Sequence, residues 1–220
     1  MKNSGNKFRI KAILLIAIFL ISIKVNCQDT DYQKVAIEKI EVSDFSANGL
    51  ILDIGGGGEG VIGQLKGNQV ISVDISKQEL VDAPSKNLKI VMDARDLKFI
   101  DNSFNTVVIF YTMMYINGAD HQKVLNEVYR VLKPGGKLMI WDVNLPALDK
   151  ESPEHIGYSF TFILPDRTIE TGYGVRKQSK KQDIQYYTDQ ALKSGFKVTG
   201  SSETENSFFL ELQKQGSGDI

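Results

Sequence analysis

At 220 residues, 42% apolar and 24% charged, the chain has the balance of an ordinary globular domain, which excludes a wholly disordered chain, a collagen-like repeat and a multi-span membrane protein. Net charge is −1, but the first 27 residues hold Lys2, Lys7, Arg9, Lys11 and Lys24 and no acid, so residues 28–220 carry 21 basic against 27 acidic side chains, or −6. That acidic body argues against a nucleic-acid partner, while one cysteine (Cys27) and two histidines (His121 and His155) argue against an internal disulfide and a Cys- or His-built metal site.

In chain order, residues 1–27 read as an export signal. A basic start precedes an apolar run over 12–23. Twelve helical residues reach only about 18 Å, well short of the roughly 30 Å hydrocarbon core. That length suits a signal better than a spanning helix. Val25 and Cys27 are small enough for cleavage before Gln28. The second reading is an uncleaved anchor, with membrane association through residues 12–23. Lipidation at Cys27 ranks third, because Lys24 stands where an apolar residue is needed. The domain is then expected to be exported or membrane-tethered, with a cytoplasmic location as the alternative.

Residues 32–42 read as a lid-like helix. Apolar runs over 50–54, 70–73, 88–91, 106–110 and 137–141 read as buried strands. Helices are predicted over 59–65, 77–81 and 120–132. The last has Asp120 as N-cap and Val124, Leu125, Val128, Val131 and Leu132 on one stripe. Lys133-Pro134-Gly135-Gly136 then stops it. This alternation predicts an α/β fold: a Rossmann-like open sheet, mostly parallel, with helices on both faces. Beyond residue 141, 158–164 and 168–175 alternate as an inserted hairpin. A helix over 188–194 and strands over 196–202 and 208–212 follow, the last two antiparallel because their link is too short for a crossover. One domain is expected over 28–215, with a tail at 216–220.

The stretch ILDIGGGGEG, residues 51–60, is the most informative. Glycines at a strand end let the backbone take positive φ and approach a ligand closely. Alone, Gly55-x-Gly57-x-x-Gly60 fits a dinucleotide fingerprint as well as other nucleotide loops. Three acids sharpen it. Asp53 lies in the loop's own strand end, Asp74 ends the next strand, and Asp93 follows the third. A ligand with a cation, a ribose and an adenine amino group suits three acids; a pyrophosphate does not.

The segments ILDIGGGGEG, VISVDIS, IVMDARDLKF, FNTVVIFY and EVYRVLKPGGKLMIWD, in that order over residues 50–142, resemble the class I S-adenosylmethionine-dependent methyltransferases, particularly the bacterial type 11 group. The resemblance implies S-adenosylmethionine as cofactor and methyl transfer to a small-molecule or lipid-like acceptor. It implies that Asp53, Gly55, Gly56 and Gly57 lie near the methionine end. Asp74, with Ile75 beside it, would serve the ribose, while Asp93 and Ala94 flank the adenine. Phe110 and Tyr111 would sit beside the methyl group. One residue departs from the pattern: Glu59 stands where the family usually has its third loop glycine.

No catalytic dyad stands out, and methyl transfer requires a base only when the nucleophile arrives protonated. Substrate-contact candidates are Tyr111, Asp142 at the end of the fifth strand, and His155 in a loop over the same edge. Met113, Met114 and Tyr115 read as core, with lining of a substrate pocket as the alternative. Trp141 reads as a sheet residue, Asp96 and Asp101 as turn or surface acids, and His121 as a solvated first-turn residue. Two other readings stand beside the enzyme. One is an exported nucleoside-binding module without turnover, which the export signal favours because the methyl donor is made in the cytoplasm. The other is an NAD-dependent oxidoreductase, which Asp53 disfavours.

Overall fold

The computed structural model describes residues 32–216. The predicted export segment at 1–27 and residues 217–220 of the predicted tail lie outside them. Among the described residues no helix is long and apolar enough to cross a membrane.

The described residues begin with two short strands, β1 (Tyr32–Lys34) and β2 (Glu38–Glu41), where the residue pattern predicts a helix over 32–42. Alternation then begins: β3 (Ile51–Ile54), α1 (Val61–Lys66), β4 (Val70–Asp74), α2 (Lys77–Asp82) and β5 (Leu88–Val91). It continues through β6 (Phe104–Phe110), α3 (His121–Val131) and β7 (Leu132–Val143). A hairpin of β8 (His155–Ile163) and β9 (Thr168–Arg176) follows, then α4 (Ile184–Lys193), β10 (Phe196–Glu203) and β11 (Ser207–Lys214).

The main sheet has seven strands in the order β10-β11-β7-β6-β3-β4-β5. The five from β7 to β5 are mutually parallel, and β11 and β10 add antiparallel pairs. The fold is the predicted open Rossmann-like sheet. Its central strands are apolar runs because both faces are covered: Ile51, Leu52, Val107, Val108, Ile109 and Ile140 are all fully buried. The strand predicted as buried over 88–91 is instead the edge strand β5, with Leu88 and Val91 exposed. One face packs under α3 and α4. On α3, Val124, Leu125, Val128 and Val131 are inaccessible, and burying four such side chains contributes on the order of 8 kcal/mol before chain entropy is subtracted. The other face packs under α1 and a second sheet.

That second sheet explains the misread N-terminus. β8 pairs with β9 on one side and offers its other edge to both β1 and β2, in parallel, with Tyr32 opposite His155 and Glu38 opposite Phe160. The unpaired backbone of β8 supplies ladder partners that a helix would forgo. Ile40 and Val42, two residues apart, turn inward onto the core. Along β8, the buried Ile156, Tyr158, Phe160 and Phe162 alternate with half-buried residues and pack on Val108, Phe110 and Val143 of the main sheet.

Several boundaries differ from those predicted. Gly60 (φ 54) precedes α1, so the helix begins at Val61 and leaves Glu59 in the loop. Lys133–Gly136 belong to the strand rather than to a separate turn: Gly135 (φ 76) lies within a bulged entry to β7, whose register against β6 shifts after Phe104. Asp183 caps α4 by accepting from the Tyr186 N–H at 2.9 Å, so the helix begins at Ile184, four residues ahead of the predicted start.

Candidate functional site

The glycine loop follows β3 and faces the ends of β4 and β6. Gly55, Gly58 and Gly60 all have φ between 54° and 72°, a region that side-chain-bearing residues rarely adopt. The loop is glycine-rich for a second reason. A Cβ on Gly55 would lie 2.2 Å from Thr112 Oγ1, and one on Gly56 would lie 2.3 Å from Asp53 Oδ2. On Gly57 it would lie 2.5 Å from Glu79 Cβ and 3.0 Å from the Glu79 backbone. The neighbours that exclude these Cβ atoms belong to the protein itself. Gly55 N–H donates to Val73 O at 2.7 Å and Gly58 N–H to Glu79 O at 3.0 Å, fixing the loop between β4 and α2.

A cleft of about 670 Å³ opens over this loop. Asp53, Gly55, Gly56, Gly57, Asp74, Ile75, Asp93, Ala94, Phe110 and Tyr111 all line it. Asp53 is almost fully buried, and burial pushes its carboxyl up to about 7. Ser72 Oγ donates to Asp53 Oδ2 at 3.1 Å, and Asn87 Nδ2 donates to that hydroxyl at 2.8 Å. One oxygen of Asp74 accepts from the Ser76 N–H at 2.8 Å, so this residue shapes its own turn as well as facing the cleft. Asp93 is ion-paired with Arg95, whose Nη2 lies 2.7 Å from Oδ2. That guanidinium holds the Asp93 carboxyl below its ordinary value and also reaches Asp120 at 3.0 Å. The lining therefore bears six carboxyl groups, on Asp53, Glu59, Asp74, Glu79, Asp93 and Asp120, and one guanidinium already shared by two of them.

The wall nearest β6 is aromatic. Tyr111 has φ 50, in the left-handed region, which is uncommon for a bulky residue. Its N–H donates to Trp141 O at 2.7 Å, and its ring packs among Phe110, Phe160, Phe162 and Tyr173. Burial pushes its hydroxyl well above the usual range. Thr112 Oγ1 donates to Phe110 O at 3.0 Å and lines the cleft beside Tyr115 and Ile116. Tyr115, predicted as core, is 56% exposed at the cleft mouth, whereas Met113 and Met114 are buried as predicted. Trp141 is a sheet residue, as predicted, its ring tilted against those of Phe110 and Phe209.

Three further predictions are corrected. Asp142 is fully buried and does not line the cleft; it accepts from the N–H groups of Met114 at 3.3 Å and Val143 at 2.8 Å. It thereby holds the 3-10 turn Met113–Tyr115, and burial raises its carboxyl to about 7. His155 opens β8 rather than crossing the cleft: it pairs with Tyr32, its ring centroid 5.2 Å from that ring, and does not line the cleft. His121 is inaccessible rather than solvated, with Nδ1 3.1 Å from Tyr186 Oη and Nε2 3.0 Å from both Met113 O and Ile116 O. A 3-10 turn at Gly118–Asp120 rotates it inward. Asp120 therefore caps α3 through no side-chain bond and pairs with Lys123 and Arg95 instead.

The residues missed in the sequence include Thr112, Glu79, Arg95 and Tyr173. Tyr173 carried a signal, since it alternates with Thr171 on one face of the predicted hairpin. Glu59, visible as a departure from the family pattern, accepts hydrogen bonds from the hydroxyls of Thr171 and Tyr173, the latter at 3.1 Å.

A family model described as a methyltransferase domain matches residues 52–140. The ubiquinone/menaquinone biosynthesis C-methyltransferase UbiE of Legionella pneumophila (strain Corby) is 34% identical over 140 residues, covering 57% of this chain and 55% of that protein. The Haemophilus ducreyi protein of the same name is 38% identical over 106 residues, covering 44% and 40%. The chain thus spans about half the length of these curated relatives or less. Among solved structures, a Pyrococcus horikoshii protein superposes with a TM-score of 0.57 at 21% identity, over 76% of this chain and 82% of that one. Phosphoethanolamine N-methyltransferase 2 of Haemonchus contortus, solved with S-adenosyl-L-methionine, gives 0.54 at 18% identity, over 78% and 50%. Sheet order, glycine loop, the acids at successive strand ends and these matches agree: the chain carries a class I S-adenosylmethionine-dependent methyltransferase domain.

Proposed function

We propose that the protein transfers a methyl group from S-adenosylmethionine to a neutral or cationic, largely apolar small-molecule or lipid-like acceptor. The observation that carries this reading is the charge of the cleft: six carboxyl groups against one committed guanidinium. Such a lining attracts a ligand with net positive charge and repels phosphates. An NAD-dependent oxidoreductase would need to seat a pyrophosphate beside Asp53 and Asp74, which the same lining opposes.

The donor set fits the cofactor. Asp53, buried and hydrogen-bonded only by the Ser72 hydroxyl among the side chains described, would receive an ammonium group close to the loop. Asp74 would accept from ribose hydroxyls, and Ala94, Asp93 and the exposed Ile75 would flank the adenine. Because Asp93 is ion-paired with Arg95, it would share its carboxylate with any base it binds. When bound, the cofactor supplies an electrophilic methyl group on a sulfonium. The chain's own part is to orient the partners and exclude water. Phe110, Tyr111, Tyr115 and Tyr173 would form the acceptor's wall, where rings favour an aromatic or apolar ligand. The relatives' names, quinone-biosynthesis C-methyltransferases, support an acceptor of the phenolic, lipid-like kind.

Incubation of the full-length chain with methyl-labelled S-adenosylmethionine and phenolic or amine acceptors should move label into acceptor, with acidic and phosphorylated acceptors left unlabelled. Transfer only to phosphorylated acceptors would overturn the reading. Residues 12–23 would direct the domain across, or tether it to, the membrane, their basic flank staying on the cytoplasmic side. A reporter active only after export, fused behind residue 220, should then be active. An inactive reporter, with an intact Met1 peptide in the soluble fraction, would place the enzyme in the cytoplasm beside its donor.

A further inference from the structure

Two polar links stitch the glycine loop and α1 to the hairpin. The Glu59 carboxylate accepts from the Thr171 and Tyr173 hydroxyls. Gln64 Nε2 donates to the Glu59 carbonyl at 2.7 Å, while Gln64 Oε1 accepts from Arg167 Nη1 at 3.1 Å. Thr171 and Tyr173 are two residues apart on β9, so both point to the same face of the second sheet, the one toward the loop. Glu59, Gly172 and Tyr173 line one cleft. The Tyr173 ring continues the connection, with its centroid 5.8 Å from that of Tyr111 and 6.4 Å from that of Tyr115. An unbroken series of contacts therefore runs from the loop, through one carboxylate, to the aromatic wall at the end of β6. Among the described residues β9 pairs only with β8 within its sheet, so side-chain contacts rather than a backbone ladder hold its cleft-facing side to the main domain.

We propose that Glu59 is a positioning residue: through Thr171 and Tyr173 it holds β9 against the glycine loop, so that filling the cofactor end of the cleft and seating its acceptor-side wall are coupled. The functional meaning of this strap rests on the methyltransferase reading; its existence does not. A glycine at this position would keep the loop open but leave both hydroxyls without their shared acceptor. A glutamine would retain an acceptor oxygen for them.

Hydrogen exchange of the full-length protein, followed by mass spectrometry over residues 168–176, tests this with and without S-adenosylhomocysteine. In the ligand-free protein, Glu59→Gly should accelerate exchange in that segment by about tenfold, whereas Glu59→Gln should stay within about threefold of wild type. S-adenosylhomocysteine should slow exchange in the segment further in wild type and not in Glu59→Gly. The double variant Thr171→Val with Tyr173→Phe removes both donors without touching the loop and should behave as Glu59→Gly does, which keeps the test valid if the glycine variant does not fold. Unchanged ligand-free exchange in these variants overturns the strap. Equal protection by the nucleoside in wild type and Glu59→Gly overturns the coupling. A wild-type protein that binds no nucleoside refutes the cofactor reading instead, while the ligand-free comparison still decides the strap.

Discussion

Replacing Asp53 with asparagine should stabilise the ligand-free fold at alkaline pH and weaken cofactor binding. In the unfolded chain the carboxyl titrates near its ordinary value, about 3.9, whereas in the fold burial raises it to about 7. The folded state therefore holds this proton over a range where the unfolded state has released it. The group's contribution to stability is fully present below about pH 4, declines as pH rises toward 7 and is constant above that. At pH 8 the gap corresponds to a cost on the order of 4 kcal/mol, an upper bound because the denatured chain is not fully solvated. The substituted amide does not titrate, and its oxygen can still accept from the Ser72 hydroxyl. Urea unfolding of both proteins at pH 5 and pH 8 should thus show an advantage for the variant that grows by about 2–3 kcal/mol over that interval. Asp142 shifts in the same direction but is common to both proteins and cancels. A cationic ligand beside Asp53 must expel the proton, so wild-type affinity for S-adenosylhomocysteine should rise with pH up to about 7 and then level off, with a flat profile in the variant. A stability difference that does not change with pH, or a variant less stable than wild type at pH 8, would refute the buried-carboxyl reasoning.

Gly57→Val should lower the melting temperature as well as binding, because its Cβ would meet Glu79 of α2 at 2.5 Å; loss of binding with unchanged stability would show that the loop has room the structure denies it. Leu125→Ala, at a fully buried position of α3, should cost about 2–5 kcal/mol in urea unfolding, with a value below 1 kcal/mol contradicting its place in the core. His121 titrates below its ordinary value because it is buried, so its contribution to stability is present above about pH 6.5 and is lost as pH falls through that point. His121→Ala should therefore cost about 1–3 kcal/mol at pH 8 and less at pH 5.5, and an equal cost at both would show the imidazole to be solvated.

What could be read from the sequence follows from how each element is stabilised. β3 and β6 are buried on both faces and appear as apolar runs, and α3 shows its stripe because one side packs on the sheet, whereas β5 at the sheet edge leaves Leu88 and Val91 exposed despite its apolar sequence. β1 and β2 are three and four residues long and exist through backbone pairing with β8, which leaves almost no pattern in their side chains. The acids at the ends of β3 and β4 and after β5 were legible because parallel strands deliver their C-terminal ends to one edge. Asp142 was misjudged at that same edge because the turn Met113–Tyr115 folds over it, a feature set by tertiary packing. The glycines were located correctly, but Gly55, Gly56 and Gly57 answer to Thr112, Asp53 and Glu79 as well as to any ligand. Glu59 shows what spacing cannot supply, since its partners lie more than a hundred residues downstream.

Calorimetric titration of the full-length protein with S-adenosylhomocysteine and with NAD, for wild type and Asp74→Ala, tests the central claim most directly. Wild type should bind the sulfur nucleoside at a single site and NAD far more weakly, and Asp74→Ala should lose about 1–3 kcal/mol of nucleoside affinity, the usual cost of removing hydrogen bonds to a charged acceptor. Tighter binding of NAD than of S-adenosylhomocysteine would contradict the account, as would an Asp74→Ala protein with undiminished affinity.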